Sequence, residues 1–159
     1  MINLKKIQWK PLLICLAVSF GAEILAGFLA GNSMAQYAQL YQPPFAPPGW
    51  AFPVVWTILY AFMGIASYLV VISDSPGKQA ALKTYGVQLV VNMLWSVFFF
   101  RLEWYLFAFF WLLLLWLLVF RMMKQFSDIN AVAGNLMTVY LLWITFAAYL
   151  NLSIALHYL

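Results

Sequence analysis

Charge is what this sequence has least of. Eight Lys/Arg and four Asp/Glu make up 8% of its 159 residues, where about 25% is usual in soluble domains. So few charges cannot clothe a sphere of this size against water, so lipid must solvate most of it. That excludes a disordered tail, a nucleic-acid-binding module and any sizeable water-facing domain. The net charge of +4 therefore bears on topology rather than on polyanion binding. Cys15 is the one cysteine, which excludes an internal disulfide, and His157, two residues from the C-terminus, is the one histidine. The two are too far apart in sequence for a Cys/His zinc site, and His157 has no positioned acid for a Ser-His-Asp triad. No glycine-rich loop ends in Gly-Lys-Ser/Thr, so nucleotide hydrolysis has no support. Neither a metal site nor a required cofactor is expected.

What the chain has in abundance is apolar sequence, 67% of the total, cut by short charged patches. The uncharged or nearly uncharged runs place spans at about 11–30, 51–73, 84–100, 104–120 and 133–156. Each is long enough, at ~1.5 Å per residue, to cross the hydrocarbon layer with some snorkelling at the ends. They are too long and too continuous for barrel strands, and only helices or closed barrels satisfy their backbone in lipid. The expected fold is all-α: an integral membrane bundle of five transmembrane helices in one domain covering 1–159.

An odd number of spans sets the termini on opposite sides. Lys5, Lys6, Lys10, Lys78, Lys83, Arg121 and Lys124 fall on one side and only Arg101 on the other, which predicts a cytoplasmic N-terminus and an external C-terminus. Ser33-Met34-Ala35 is a tolerable signal-peptide cleavage pattern, but Glu23 and the length of the first run favour a retained helix.

The first loop, 31–50, carries no charge and four of the chain's seven prolines, Pro43, Pro44, Pro47 and Pro48. Tyr37, Tyr41, Phe45 and Trp50 lie among them. Paired prolines stiffen such a segment into extended geometry. It is expected either to pack over the outer mouth of the bundle as a lid or to lie in the headgroup layer.

In span three, Tyr85, Gln88, Asn92, Trp95 and Phe99 recur at spacings of 3, 4, 3 and 4, one narrow face of a helix. Two amides are costly against lipid, so this face should turn inward. Span five repeats the pattern with Tyr140, Trp143, Ala147, Asn151 and Ile154, and span two adds Trp56, Tyr60 and Met63. Such stripes serve either as interhelical glue or as walls around a flat aromatic guest. Glu23 lies mid-span with no base at comparable depth, which leaves it protonated or bonded to a neighbouring polar group. Around it Ala22, Ala26 and Ala30, and Gly27 with Gly31, form ladders that allow close helix contact. Span four, with Trp111 and Trp116 flanking four leucines, has no polar stripe and suits lipid or a protomer interface. His157 is open to two readings, a haem ligand or an interfacial residue.

Several of these residues together resemble the tryptophan-rich sensory protein family, also called the translocator protein or peripheral benzodiazepine receptor family. The resemblance begins with Tyr37, Leu40 and Pro43-Pro44-Phe45-Ala46-Pro47-Pro48-Gly49-Trp50 and continues through Pro53, Trp56 and Tyr60. It recurs at Gln88-Leu89, Asn92, Trp95 and Phe99-Phe100, and again at Tyr140, Trp143, Phe146-Ala147, Leu150 and Asn151. Val97 and Val139 stand where many members have proline, and Gln42 replaces a commonly basic position. No Lys or Arg follows Tyr149, so the sterol motif of animal members is absent.

The resemblance implies a five-helix bundle, often a homodimer, with a ligand pocket under the first loop. The family's ligands are porphyrins such as protoporphyrin IX, other haem-pathway tetrapyrroles and synthetic isoquinolines or benzodiazepines. The binding positions it implies are Tyr37, Phe45, Pro47, Trp50, Trp56, Tyr60, Gln88, Asn92, Trp95, Phe99, Tyr140, Trp143, Ala147, Leu150 and Asn151. Some bacterial members are similar to enzymes that degrade porphyrin with light and oxygen, and Trp56 and Trp143 match the tryptophans implicated there. Three functions are therefore carried forward: a tetrapyrrole-binding membrane receptor or transporter, a light-dependent porphyrin-degrading enzyme, and a small scaffold without a ligand.

Overall fold

A computed structural model describes residues 6–159; Lys5 of the basic count lies outside the described residues. The chain forms six α-helices and, among the described residues, no strand. They are α1 (Trp9–Ala30), α2 (Ser33–Gln39), α3 (Ala51–Val71), α4 (Lys78–Ser96), α5 (Tyr105–Ile129) and α6 (Ala131–His157). Four of them, α1, α3, α5 and α6, are long and apolar enough to cross a membrane. The remaining long helix, α4, carries Lys78, Gln79, Lys83, Gln88 and Asn92 and is correspondingly more polar.

Local chemistry sets the ends. Pro11 and Pro53 sit in the first turns of α1 and α3, where a missing N–H costs no helical bond. Gly31 stops α1 at φ 77°, a conformation that glycine adopts without a Cβ clash. Lys78 Nζ donates to the carbonyls of Val71 (3.0 Å) and Ser73 (3.1 Å), capping the end of α3. Asn130 alone links α5 to α6, and its side chain accepts from Val132 N (2.9 Å) and Ala133 N (3.1 Å).

These ends differ from the spans read in the sequence in three places. The third element starts at Lys78 rather than at 84. The fourth runs through Arg121 and Lys124 to Ile129, because long basic side chains lie along a helix as readily as in a loop. The first loop is not extended throughout, since Ser33–Gln39 is helical. After Ser96 the chain widens into a π-helical turn, Val97–Arg101. The backbone therefore leaves α geometry at Val97 with no proline there, whereas α6 runs unbroken through Val139.

The five long helices pack as a ring in the order α1, α3, α6, α5, α4, with α3 and α4 also touching across it. One half is sealed: Met63, Met122, Phe126, Met137 and Ile144 are fully buried. Glycines let the helices close there. A Cβ on Gly64 would lie 2.7 Å from Leu16 Cδ2, and one on Gly134 would lie 2.7 Å from Ser127 Cα. The other half, beneath the 31–50 segment, is hollow.

Candidate functional site: an aromatic cavity beneath the first loop

The hollow half holds a cavity of about 290 Å³, near the lower end of the ~300–1,000 Å³ common for small-molecule sites. Every element except α5 contributes to its wall. From α1 come Glu23, Ala26, Gly27 and Ala30; from α2, Ser33, Met34 and Tyr37; from α3, Phe52, Pro53, Trp56 and Tyr60. Asn92, Trp95 and Ser96 of α4 and Phe99 and Phe100 of the π turn face them, with Trp143, Ala147, Leu150, Asn151 and Ile154 of α6.

The aromatic rings interlock edge to face. Trp56 and Trp143 stand at 89° with centroids 6.3 Å apart, Phe52 meets Trp143 at 5.9 Å, and Tyr37 meets Phe52 at 4.7 Å. On the opposite wall Trp95 stacks on Phe99 at 5.3 Å and 26°. Rings so locked by neighbours present rigid apolar faces.

A hydrogen-bonded layer lies at the cavity floor. Asn92 Nδ2 donates to the hydroxyls of Tyr60 and Tyr140, each at 3.1 Å, and the Tyr140 hydroxyl donates to Gln88 Oε1 at 2.9 Å. About three turns further along α6, toward the loop, Trp95 Nε1 donates to Asn151 Oδ1 at 3.0 Å, and Asn151 Nδ2 donates to the Tyr105 carbonyl at 2.8 Å. Asn92 and Asn151 thus tie α3, α4, α5 and α6 together. One donor in this region is spare: Trp143 Nε1 is buried and has no partner among the described residues.

The loop is fastened over this cavity. The Tyr37 hydroxyl donates to the Pro47 carbonyl (2.8 Å), and Tyr149 at the end of the bundle donates to the Pro44 carbonyl (2.8 Å). Gln42 Nε2 donates to the carbonyls of Tyr37 (2.9 Å) and Leu40 (3.1 Å). Tyr41 stacks on His157 with centroids 4.1 Å apart, so His157 sits outside the cavity, against the loop. Burial pushes the Tyr37 phenol above its ordinary pKa.

Of the positions expected from the sequence, Tyr37, Trp56, Tyr60, Asn92, Trp95, Phe99, Trp143, Ala147, Leu150 and Asn151 line the cavity. Five do not. Phe45 is 89% and Trp50 65% exposed, because the tip of the loop turns outward and Phe45 takes a left-handed φ of 67°. Pro47 contributes its carbonyl to Tyr37 rather than a wall. Gln88 and Tyr140 are fully buried one layer behind it, spending their polar atoms on each other and on Asn92.

Sequence reasoning missed Phe52, Pro53, Phe100 and the α1 and α2 walls as lining residues. The ladder of Ala26, Gly27 and Ala30 signalled closeness, yet a Cβ on Gly27 would meet nothing within 4 Å. Here small side chains leave space rather than admit a helix. Glu23, one of the residues singled out mid-span, lines the cavity and accepts a hydrogen bond from Thr57 Oγ1 at 2.8 Å.

An all-helical bundle with several membrane-length apolar helices and an internal aromatic cavity defines a small multi-pass integral membrane protein. Comparison with known proteins agrees. Residues 12–157 match the TspO/MBR family. The chain is 33% identical over 143 residues to the tryptophan-rich protein TspO of Chlorobaculum tepidum, covering 89% of each chain. Against the tryptophan-rich sensory protein of Cereibacter sphaeroides the identity is 36% over 115 residues, 72% of each chain. Against the translocator protein of Ovis aries it is 31% over 147 residues, 90% of this chain and 87% of that one. The chain belongs to the TspO/MBR family.

Proposed function

We propose that this protein is a membrane receptor or transporter for protoporphyrin IX and related flat tetrapyrroles, taken up in the cavity beneath the first loop. The observation that carries the reading is the pair of facing aromatic walls, Trp56 with Trp143 and Trp95 with Phe99, set around an open space. A large flat ring gains stacking and edge contacts from such walls, and the fastened 31–50 segment covers it as a lid. In this reading α4 with the π turn is the fifth span. The basic side faces the cytoplasm with the N-terminus, and the exposed apolar faces of α1 and α5 meet lipid or a second copy of the chain.

A second reading is favoured by the position of the two indoles on the cavity wall: light- and oxygen-dependent breakdown of the bound ring, with Trp56 and Trp143 as electron donors. One experiment serves both. Protoporphyrin IX is titrated against tryptophan fluorescence of the purified protein in the dark and then illuminated in air. Saturable quenching supports the binding reading, and its absence leaves a scaffold. Trp56→Phe and Trp143→Phe keep aromatic walls, so binding should weaken by only ~1 kcal/mol. Light-driven loss of porphyrin should fall much further, since a phenyl ring is a far poorer electron donor than indole. Parental breakdown rates in both variants would make the indoles walls and not reagents.

A further inference from the structure

Glu23, on the cavity wall, with Thr57 bonded to it from an exposed position on α3, is a polar group that the aromatic reading leaves unused. Glu23 projects from the middle of α1, and Thr57 sits next to Trp56 on α3. The bond between them engages Oε1 of the carboxylate at 2.8 Å. Among the described residues Glu23 is the one carboxyl group on the wall, and no Lys, Arg or His lines the cavity. A half-buried carboxyl group with no cation beside it, bordering an apolar cavity, attracts a positive or strongly donating group brought next to it. The surrounding wall is apolar and aromatic, so that group must belong to a guest whose remainder is flat and apolar.

We propose that Glu23 is a specificity-determining residue: with Thr57 holding its orientation, its carboxylate selects flat aromatic guests that carry a cationic or N–H-donating nitrogen. This rests on the cavity being a binding site, and it adds the chemical class that the site prefers. It also orients the guest, with the nitrogen toward α1 and the rings between Trp56, Trp143 and Trp95. An acidic substituent meets no cation on the described wall and is disfavoured beside Glu23.

Two fluorescent probes of nearly the same shape test this: 9-aminoacridine, a cation at pH 7, and 9-methylanthracene, its neutral counterpart. Both are titrated against the full-length protein in dodecyl maltoside, with correction for partition into micelles. The parent should bind the cation about tenfold more tightly, the effect of one charge-assisted hydrogen bond. Glu23→Gln, which keeps the side chain's size and can still accept from Thr57, should bring the ratio of the two affinities close to one. Thr57→Val, which keeps the carboxylate, should retain most of it. A parent with equal affinity for the two probes, or a Glu23→Gln protein that still prefers the cation, would overturn the assignment while the cavity remained a binding site. If neither probe nor protoporphyrin IX binds saturably to the parent, the binding reading itself falls and this inference with it.

Discussion

Glycine does opposite things in the two halves of this bundle. In the sealed half, Gly64 and Gly134 stand where helices touch, and a single added carbon would lie within 3 Å of Leu16 or Ser127. In the hollow half, Gly27 has nothing within 4 Å of where its Cβ would be, and Ala26 and Ala30 beside it line open space. A stripe of small residues therefore marks either a helix contact or a void, and sequence spacing does not distinguish them. What decides is the neighbour across the gap. Opposite Gly134 is the backbone of α5, brought close by a one-residue connection. Opposite Gly27 are the walls of a cavity whose long aromatic side chains hold the helices apart.

The strongest way to break this contrast is to add carbon to each half. Gly134→Ala forces a Cβ against Ser127 backbone, which cannot swing away, and should cost roughly 1–3 kcal/mol. Gly64→Ala meets the ends of the Leu16 and Ser19 side chains first and should cost less. Thermal denaturation in detergent checks both. Gly27→Leu should instead leave stability nearly unchanged and weaken protoporphyrin IX by about tenfold, ~1.4 kcal/mol, because it fills the cavity. Equal melting losses for Gly27→Leu and Gly134→Ala would erase the distinction between the halves.

Asn92 sits at the border between them. Asn92→Leu withdraws the donor from Tyr60 and Tyr140, and should cost about 1 kcal/mol, given the modest value of such bonds within membranes. Stability measured alongside porphyrin affinity will show whether the network supports the bundle, the ligand or both.

The smallest effect concerns the loop. Tyr37→Phe loses one bond to the Pro47 carbonyl and should release the loop by ~0.5 kcal/mol at neutral pH, read as faster porphyrin dissociation. Because the Tyr37 pKa is raised by burial, the folded loop holds this proton more tightly than the free one. Loop closure should therefore weaken as pH rises past the ordinary tyrosine value near 10. The Phe variant should lack that alkaline acceleration.

Much of this architecture is legible from residue spacing, and the failures have a common cause. The stripe Tyr85–Gln88–Asn92–Trp95–Phe99 identifies the inward face of α4 and the turn after it. It does not say that Tyr85 and Gln88 pack in the sealed half while Trp95 and Phe99 border the void. Periodicity gives direction around a helix, whereas a cavity depends on depth along it and on where the partner helices diverge. Phe100 was hidden for a different reason. A π turn adds a residue per turn, so the consecutive Phe99 and Phe100 both reach the cavity, which no 3.6-residue pattern anticipates. In the loop, which aromatic faces inward hinges on backbone angles such as that of Phe45, and proline pairs say nothing of those.

The single-residue link at Asn130 has a mechanical consequence. With one residue between them, α5 and α6 are expected to move together as a fork, and α6 is a wall of the cavity. Another wall, α1, turns most of its surface outward, with Leu13, Ile14, Val18, Ile24, Leu25 and Phe28 exposed, and its chain connection to α3 runs through Gly31, the short α2 and residues 40–50. If the cavity takes guests of different bulk, the expected outcome is that the fork holds still and α1 yields. The spread of sizes the protein tolerates is then set by the compliance of one helix, and the breathing should register there in amide hydrogen exchange before it registers anywhere in α5 or α6.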